Sequence, residues 1–296
     1  MEKEFRKSII KSRVSWAAAI LLAVIATITA VLPFIFMVFN SFKGKFEMLT
    51  KGVFAPPEKL NFANYEEVLG GGFVKYFGNS VFVLCLSLLL VLFIAACAAY
   101  PLARFRFRMN GFLYGVIVAC MAIPIHITLI PVFQMTKSLK IYDTIWAMIG
   151  PNVAFALPIS VFILTSFMMG IPKEIEESAE IDGCNKYRMF FAMILPLAKP
   201  GLSTLAIYNG VNIWNEFSFA YTLTQSPKNR TLPLAVWDFQ GQYSMNTPMI
   251  MAVLTLTVLP MILLFIPASN EPSGCLQTFG DCREGQIPRC SAALQV

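Results

Sequence analysis

Apolar positions in this chain do not alternate with polar ones; they run on in long blocks parted by short polar segments. Six blocks stand out, at 14–39, 80–103, 111–133, 145–169, 202–223 and 248–266. About 20 mostly apolar residues are needed for a helix to cross roughly 30 Å of hydrocarbon. The last block would measure about 28 Å, barely enough. In lipid the backbone must satisfy itself, so only helices and closed barrels span. Continuous runs, rather than short alternating segments, exclude the barrel. The pattern therefore predicts an all-α integral membrane protein of about six transmembrane helices.

Basic residues set the expected orientation. Lys3, Arg6, Lys7, Lys11 and Arg13 precede the first block, Arg104, Arg106 and Arg108 follow the second, and Lys173, Lys186, Arg188 and Lys199 crowd a third segment. The alternate loops are sparser in charge, and the lysines of 40–79 are diluted by Glu47, Glu58, Glu66 and Glu67. Both termini are expected in the cytoplasm. The first block is too long for a signal-peptide core and has no small-residue cleavage pattern, so it reads as a retained span.

The longest cytoplasmic connection, 170–199, is more than a linker. Pro172 suits a first helical turn, and Glu174, Glu176 and Glu177 favour the positive end of a helix dipole. Gly183 offers a stop, and Pro196 and Pro200 flank re-entry into the membrane. A short acidic helix, a turn and a second amphipathic piece over 187–195 are predicted: a knob for another protein to grip.

Composition agrees with the blocks. Apolar residues make up 57% of the 296, charged residues 14%, and mean hydropathy is +0.65; a soluble domain sits near a quarter charged. The net charge of +6 lies beside the apolar blocks, as topology demands, so no nucleic-acid partner is expected. Cys85, Cys97 and Cys120 lie inside blocks and Cys184 stands alone, so neither a metal site nor a disulfide framework is expected.

At the knob the chain resembles a family. Glu177-Ser178-Ala179, three residues, Gly183, then Met193 and Leu195-Pro196 are similar to the EAA loop of ABC-importer permeases, with Ser178 and Met193 replacing Ala and Ile. The run from Ala99 to Phe107 (A-Y-P-L-A-R-F-R-F), Ile171-Pro172-Lys173-Glu174, Ile181-Asp182-Gly183 and Trp214-Asn215-Glu216-Phe217 narrow the resemblance to carbohydrate importers, similar to the maltose-system permease family. It implies a type I importer permease fold and a coupling helix seated in an ATPase subunit, with Glu177, Ser178, Ala179, Asp182, Gly183, Leu195 and Pro196 as coupling residues. The implied partners are a second permease subunit, two ATP-binding cassette subunits, an extracytoplasmic solute-binding protein, a sugar substrate and membrane lipid. On this reading residues 1–13 are a cytoplasmic N-terminus and 14–266 a permease domain, with a core of about 75–266. Residues 267–296 form an atypical tail, where Pro267 is expected to break the last helix and disorder to follow, as after a shifted reading frame.

Polar residues inside blocks are functional candidates, since a mid-membrane charge costs about 2.5–3.5 kcal/mol on insertion scales. Asn209, Asn212, Asn215 and Glu216 recur at helical spacing and are expected to share one face, lining the translocation path or meeting the partner permease. Packing or gating is favoured there over direct sugar contact. His126, between Pro124 and Pro131, is expected to hydrogen-bond rather than transfer protons. Trp16, Trp146 and Tyr221 read as interfacial anchors, and the prolines at 124, 131, 151 and 158 as kinks. Nothing reads G-x-x-x-x-G-K-[ST], so the chain binds no ATP itself, needs no cofactor and is no enzyme. A permease for another solute, such as glycerol phosphate, and a secondary carrier remain the alternatives.

Overall fold

The computed structural model describes residues 2–238 and 246–269, and their regular structure is entirely helical. The chain divides into two compact units, 1–73 with 236–259, and 74–235 with the residues from 260 on.

In the first unit, α1 (Glu2–Ser41) carries the first apolar block, continuous through Pro33 and exposed along its apolar length. Residues 42–73 are folded rather than a plain loop, with short helices α2 (Lys45–Lys51) and α3 (Ala63–Val68). Their organiser is Lys43, a fully buried side chain whose ammonium donates to Asn40 Oδ1 at 3.0 Å and the Gly52 carbonyl at 3.2 Å. Buried Asn64 in turn donates to the Ser41 and Lys43 carbonyls at 2.8 and 2.9 Å. Hydrogen bonding is what makes burial of a charge tolerable.

The second unit begins with α4 (Val74–Arg104), α5 (Asn110–Cys120), α6 (Ile125–Ser138) and α7 (Trp146–Met169). It continues through α8 (Glu174–Ile181), α9 (Lys186–Leu197), α10 (Lys199–Trp214) and α11 (Ser218–Leu223). Short α12 (Leu232–Asp238) and α13 (Thr247–Ser269) complete the chain order, with residues 236–259 belonging to the first unit.

Two apolar blocks are not the single helices the pattern predicts. Block 111–133 is broken between α5 and α6, whose axes meet at 95°. Pro124 has an extended backbone (ψ 136°) and caps the start of α6; its ring also disfavours helical geometry in Ile123 before it, so α5 cannot run straight on. Block 202–223 breaks after Trp214, and α9 meets α10 at 69°. Three described helices are long and apolar enough to span unbroken, or up to five spans if each bent pair counts as one. Conversely, Pro151 and Pro158 lie within an uninterrupted α7, and α13 runs on through Pro267 to Ser269 instead of breaking there. In membranes, neighbouring helices and local backbone adjustments re-satisfy the groups that proline frees. The rest of the expected tail lies outside the described residues. Cys85, Cys97 and Cys120 are free thiols, whereas Cys184 is disulfide-bonded, which its spacing gave no sign of.

At one end of this unit the segment after α11 is stapled in place. Asp143, in left-handed backbone (φ 56°), accepts the N–H groups of Gln225 and Ser226 at 2.8 Å each and the Ser226 hydroxyl, while Asn229 donates to its carbonyl. Asn79 of α4 donates to the Lys228 and Arg230 carbonyls at 3.0 and 2.8 Å, and Ser80 accepts from Leu232 N–H at 2.8 Å. Burial would raise the Asp143 pKa, but the donors gathered on its carboxylate outweigh that and bring it down from 3.8 to about 2. A depressed folded-state value means the contribution is complete above the unfolded pKa and fades as pH falls through the folded one. Protease resistance of segment 224–231 is therefore expected to stay flat at neutral and mildly acidic pH. It should fall only between about pH 4 and pH 2, and Asp143→Asn should abolish that transition.

Candidate functional site

The knob forms where the sequence places it. Three glutamates occupy the first turn of α8, and the helix ends at Asp182. Gly183 then takes φ +80°, a left-handed conformation that glycine enters without penalty. The turn closes through Cys184 N–H to the Ala179 carbonyl at 2.9 Å, and Asn185 Oδ1 caps α9 by accepting Arg188 N–H at 2.8 Å. Within α9, Phe190–Ile194 is π-helical, a local widening of the turn often found at functional positions.

The knob has two faces. On the buried one, Ala179, Cys184, Met189, Phe190 and Ile194 join a single core with Ala95, Ala99 and Tyr100 of α4 and Leu164 and Met168 of α7. Leu195 packs against the same core. Its open face carries Glu174, Glu177, Asp182, Gly183 and, at the far end, Pro196. Ser178 is half-buried and turns its hydroxyl back to the Glu174 carbonyl at 2.7 Å. Two residues outside the expected coupling set complete this surface: Ile181, of the I-D-G element, is 86% and Tyr187 80% exposed. Large apolar side chains are thus held out beside acids, off a buried core.

Beneath the knob lies a second feature the sequence did not disclose. Arg104, last residue of α4, reaches Glu176 of α8 with Nε 2.6 Å from Oε1, both side chains largely buried. Its Nη2 also donates to the Ile171 carbonyl at 2.8 Å, at the start of the knob. Burial pushes the Glu176 carboxyl up, against the pull of the Arg104 guanidinium and then of Lys186. Alongside, Tyr100 donates to Met189 Sδ at 3.6 Å and packs its ring on Phe190 and Phe105, with centroids at 5.0 and 5.3 Å.

The polar residues of α10 do not share one face. Asn209, 1% exposed, donates to Ser160 Oγ of α7 at 2.8 Å, an interhelical bond. Asn212 and Asn215 are exposed and donate locally, to the Tyr208 and Val211 carbonyls. With Thr204 and Tyr208 they form an exposed polar stripe at spacings of four, four and three. Glu216 points elsewhere again: its carboxylate accepts the Phe219 and Ala220 N–H groups at 2.7 and 3.1 Å, capping α11 where the apolar block breaks. Neighbouring Trp214 is buried, edge-on to Phe77. His126 is exposed in the first turn of α6, and no hydrogen bond joins it to the α10 asparagines.

Residues 91–272 match the family described as binding-protein-dependent transport system inner membrane component. The chain belongs to this family. It is thus a multi-pass permease component of the inner membrane and not an enzyme, as its motifs imply. The chain is 49% identical over 240 residues to the ABC transporter permease protein ORF2 of Caldicellulosiruptor sp. (strain Rt8B.4), covering 81% of this chain and 87% of that one. It is 32% identical to the arabinooligosaccharides transport system permease protein AraQ of Halalkalibacterium halodurans, across 85% and 91% of the two chains. The fold is similar to that of a bacterial alginate ABC transporter solved with an alginate pentasaccharide-bound periplasmic protein (TM-score 0.62, 15% identity, 84% of this chain and 92% of that one).

Proposed function

We propose that this permease carries sugars or oligosaccharides inward, in a complex of two permease subunits, two ATP-binding cassette subunits and a solute-binding protein. The observation that carries the reading is the knob: an acidic surface tipped by Ile181 and Tyr187, continuous through its buried face with the membrane helices. Oligosaccharide-named relatives support the substrate class. Basic residues around 1–13, 104–108 and 173–199 support both termini and the knob in the cytoplasm.

Glu177, Ser178, Ala179, Asp182, Gly183, Leu195 and Pro196 are the coupling element. Closure of the ATPase pair displaces the knob, and the shared core passes that displacement to α4, α7 and α10. Tyr208, Asn212 and Asn215 form the face shared between the translocation path and the second permease. Asn209 holds α10 on α7, Glu216 keeps the break after Trp214, and His126, exposed beside the bend at Pro124, is free to hydrogen-bond a partner subunit.

The test is uptake of labelled oligosaccharide and of glycerol phosphate into proteoliposomes holding the full complex. Uptake is expected to need ATP and the binding protein, to favour the sugar, and to fall at least about tenfold for Glu177→Lys, a loss of about 1.4 kcal/mol or more. Uptake driven by an ion gradient without ATP would overturn the importer reading; preference for glycerol phosphate would overturn the substrate class.

A further inference from the structure

We propose that Arg104 is the positioning residue that makes the knob and helix α4 move as one body. The inference rests on the coupling role of the knob and adds the link through which that role acts. Four observations carry it. Arg104 occupies the last position of a 31-residue helix, so whatever it holds is attached to the longest element of its unit. It makes two contacts at once, with the Glu176 carboxylate at 2.6 Å and the Ile171 carbonyl at 2.8 Å. These lie on both sides of Pro172, where α7 gives way to α8, so one guanidinium spans the only joint between the membrane helix and the knob's first helix. Both partners are withdrawn from water, at 3% and 15% side-chain exposure, so the link is weakly screened.

Geometry around the pair keeps the load on Arg104. Of the knob's other charges, Lys186 pairs with Glu180, and that pair is half exposed. Asn110, at the start of α5, donates to the Leu102 and Phe105 carbonyls at 3.1 and 2.8 Å, fixing the end of α4 from which Arg104 projects. Tyr100, one turn earlier on α4, packs on Phe190 of α9. Helix α4 therefore grips the two halves of the knob by different means: α9 by ring packing, α8 by a buried ion pair to Glu176, backed by a hydrogen bond to the Ile171 carbonyl just before that helix. Only the second resists sliding of α8 along the membrane helices. A guanidinium is suited to this because its broad planar charge can face the Glu176 carboxylate while one N–H donates to the Ile171 carbonyl; a lysine serves as a point charge.

The test uses the whole complex in proteoliposomes and reads sugar molecules taken up per ATP hydrolysed. A residue needed only for folding lowers uptake and ATPase together and leaves that ratio unchanged. Arg104→Gln is expected to leave complex assembly intact and drop the ratio at least fivefold. Arg104→Lys, which keeps the charge and loses the fork, should give an intermediate drop and decides the matter if Arg104→Gln does not accumulate. Glu177→Lys, on the open face, serves as the companion variant, expected to reduce capture of the ATPase subunits. If the ratio is unchanged in the Arg104 variants while Glu177→Lys disrupts the complex, the proposal falls and the coupling knob stands. If neither position matters, the coupling role falls with it.

Discussion

Gly183→Val is expected to remove most transport while the subunit still inserts in the membrane. The residue holds φ +80°, and an added Cβ would meet nothing within 4 Å, so the penalty is backbone strain and not crowding. An L-residue pays about 1–2 kcal/mol in left-handed geometry, and a β-branched one fits worst. The turn has an inexpensive escape, since Glu177, Ile181 and Tyr187 around it are exposed and, among the described residues, no side-chain hydrogen bond or ion pair holds them. The strain is therefore relieved by reorienting the tip, which is the surface offered to the ATPase. Uptake should fall at least about tenfold, equivalent to about 1.4 kcal/mol of lost fit, with little change in the amount of membrane-inserted subunit. Gly183→Asn is the control, because asparagine tolerates this region, and it should retain most uptake. Equal activity of the two variants would mean that the turn's geometry is not what the ATPase reads.

A second large effect is expected at Gly201, in the first turn of α10. An added Cβ there would lie 3.0 Å from Cγ and 3.3 Å from Cδ2 of Phe167 on α7. Alanine requires the half-buried ring to shift by a few tenths of an ångström, and Gly201→Ala should be tolerated with a small loss. Leucine cannot be placed without parting the helices, and overpacking of this kind costs about 1–3 kcal/mol. Gly201→Leu should lower the aggregation temperature of the purified subunit in detergent and its steady-state level in the membrane, well beyond the alanine variant. A leucine variant as stable as alanine would show that α10 and α7 are not held at that distance.

What the sequence disclosed, and what it withheld, follow the range of the interactions concerned. The apolar blocks and the knob at 170–199 were legible because hydrophobic length, proline placement, first-turn glutamates and a turn glycine are local properties. Helix bending was legible only in part. A proline signals a lost hydrogen bond, but whether the helix yields depends on what packs beside it: Pro124 begins a new helix at 95°, while Pro151 and Pro158 sit in an unbroken α7. The asparagines of α10 show the same limit. Spacing put them near one another, yet Ser160 on another helix decides that Asn209 turns inward. Arg104 and Glu176 are far apart in sequence, and each had a sufficient local explanation, as a topology charge and as a helix-dipole partner. Their pairing had no periodicity to reveal it. Asp143 and Ser226 were hidden for the same reason.

The broken apolar blocks also bear on how this polypeptide is made. Segments 16–41, 63–104 and 146–169 are each long and apolar enough to leave the translocon for lipid unaided. The stretch around Asn215–Phe217 is not in that position, because its freed backbone N–H groups are satisfied by the side chain of Glu216. Exposed alone to hydrocarbon, that region carries an ionisable group and an interrupted helix, so it has reason to wait at the exit site until α7 is in place. Insertion is then expected in two waves, self-sufficient helices first and interrupted ones afterwards, which time-resolved crosslinking to the translocon would show. A cap within one apolar segment thereby sets a schedule for the whole chain.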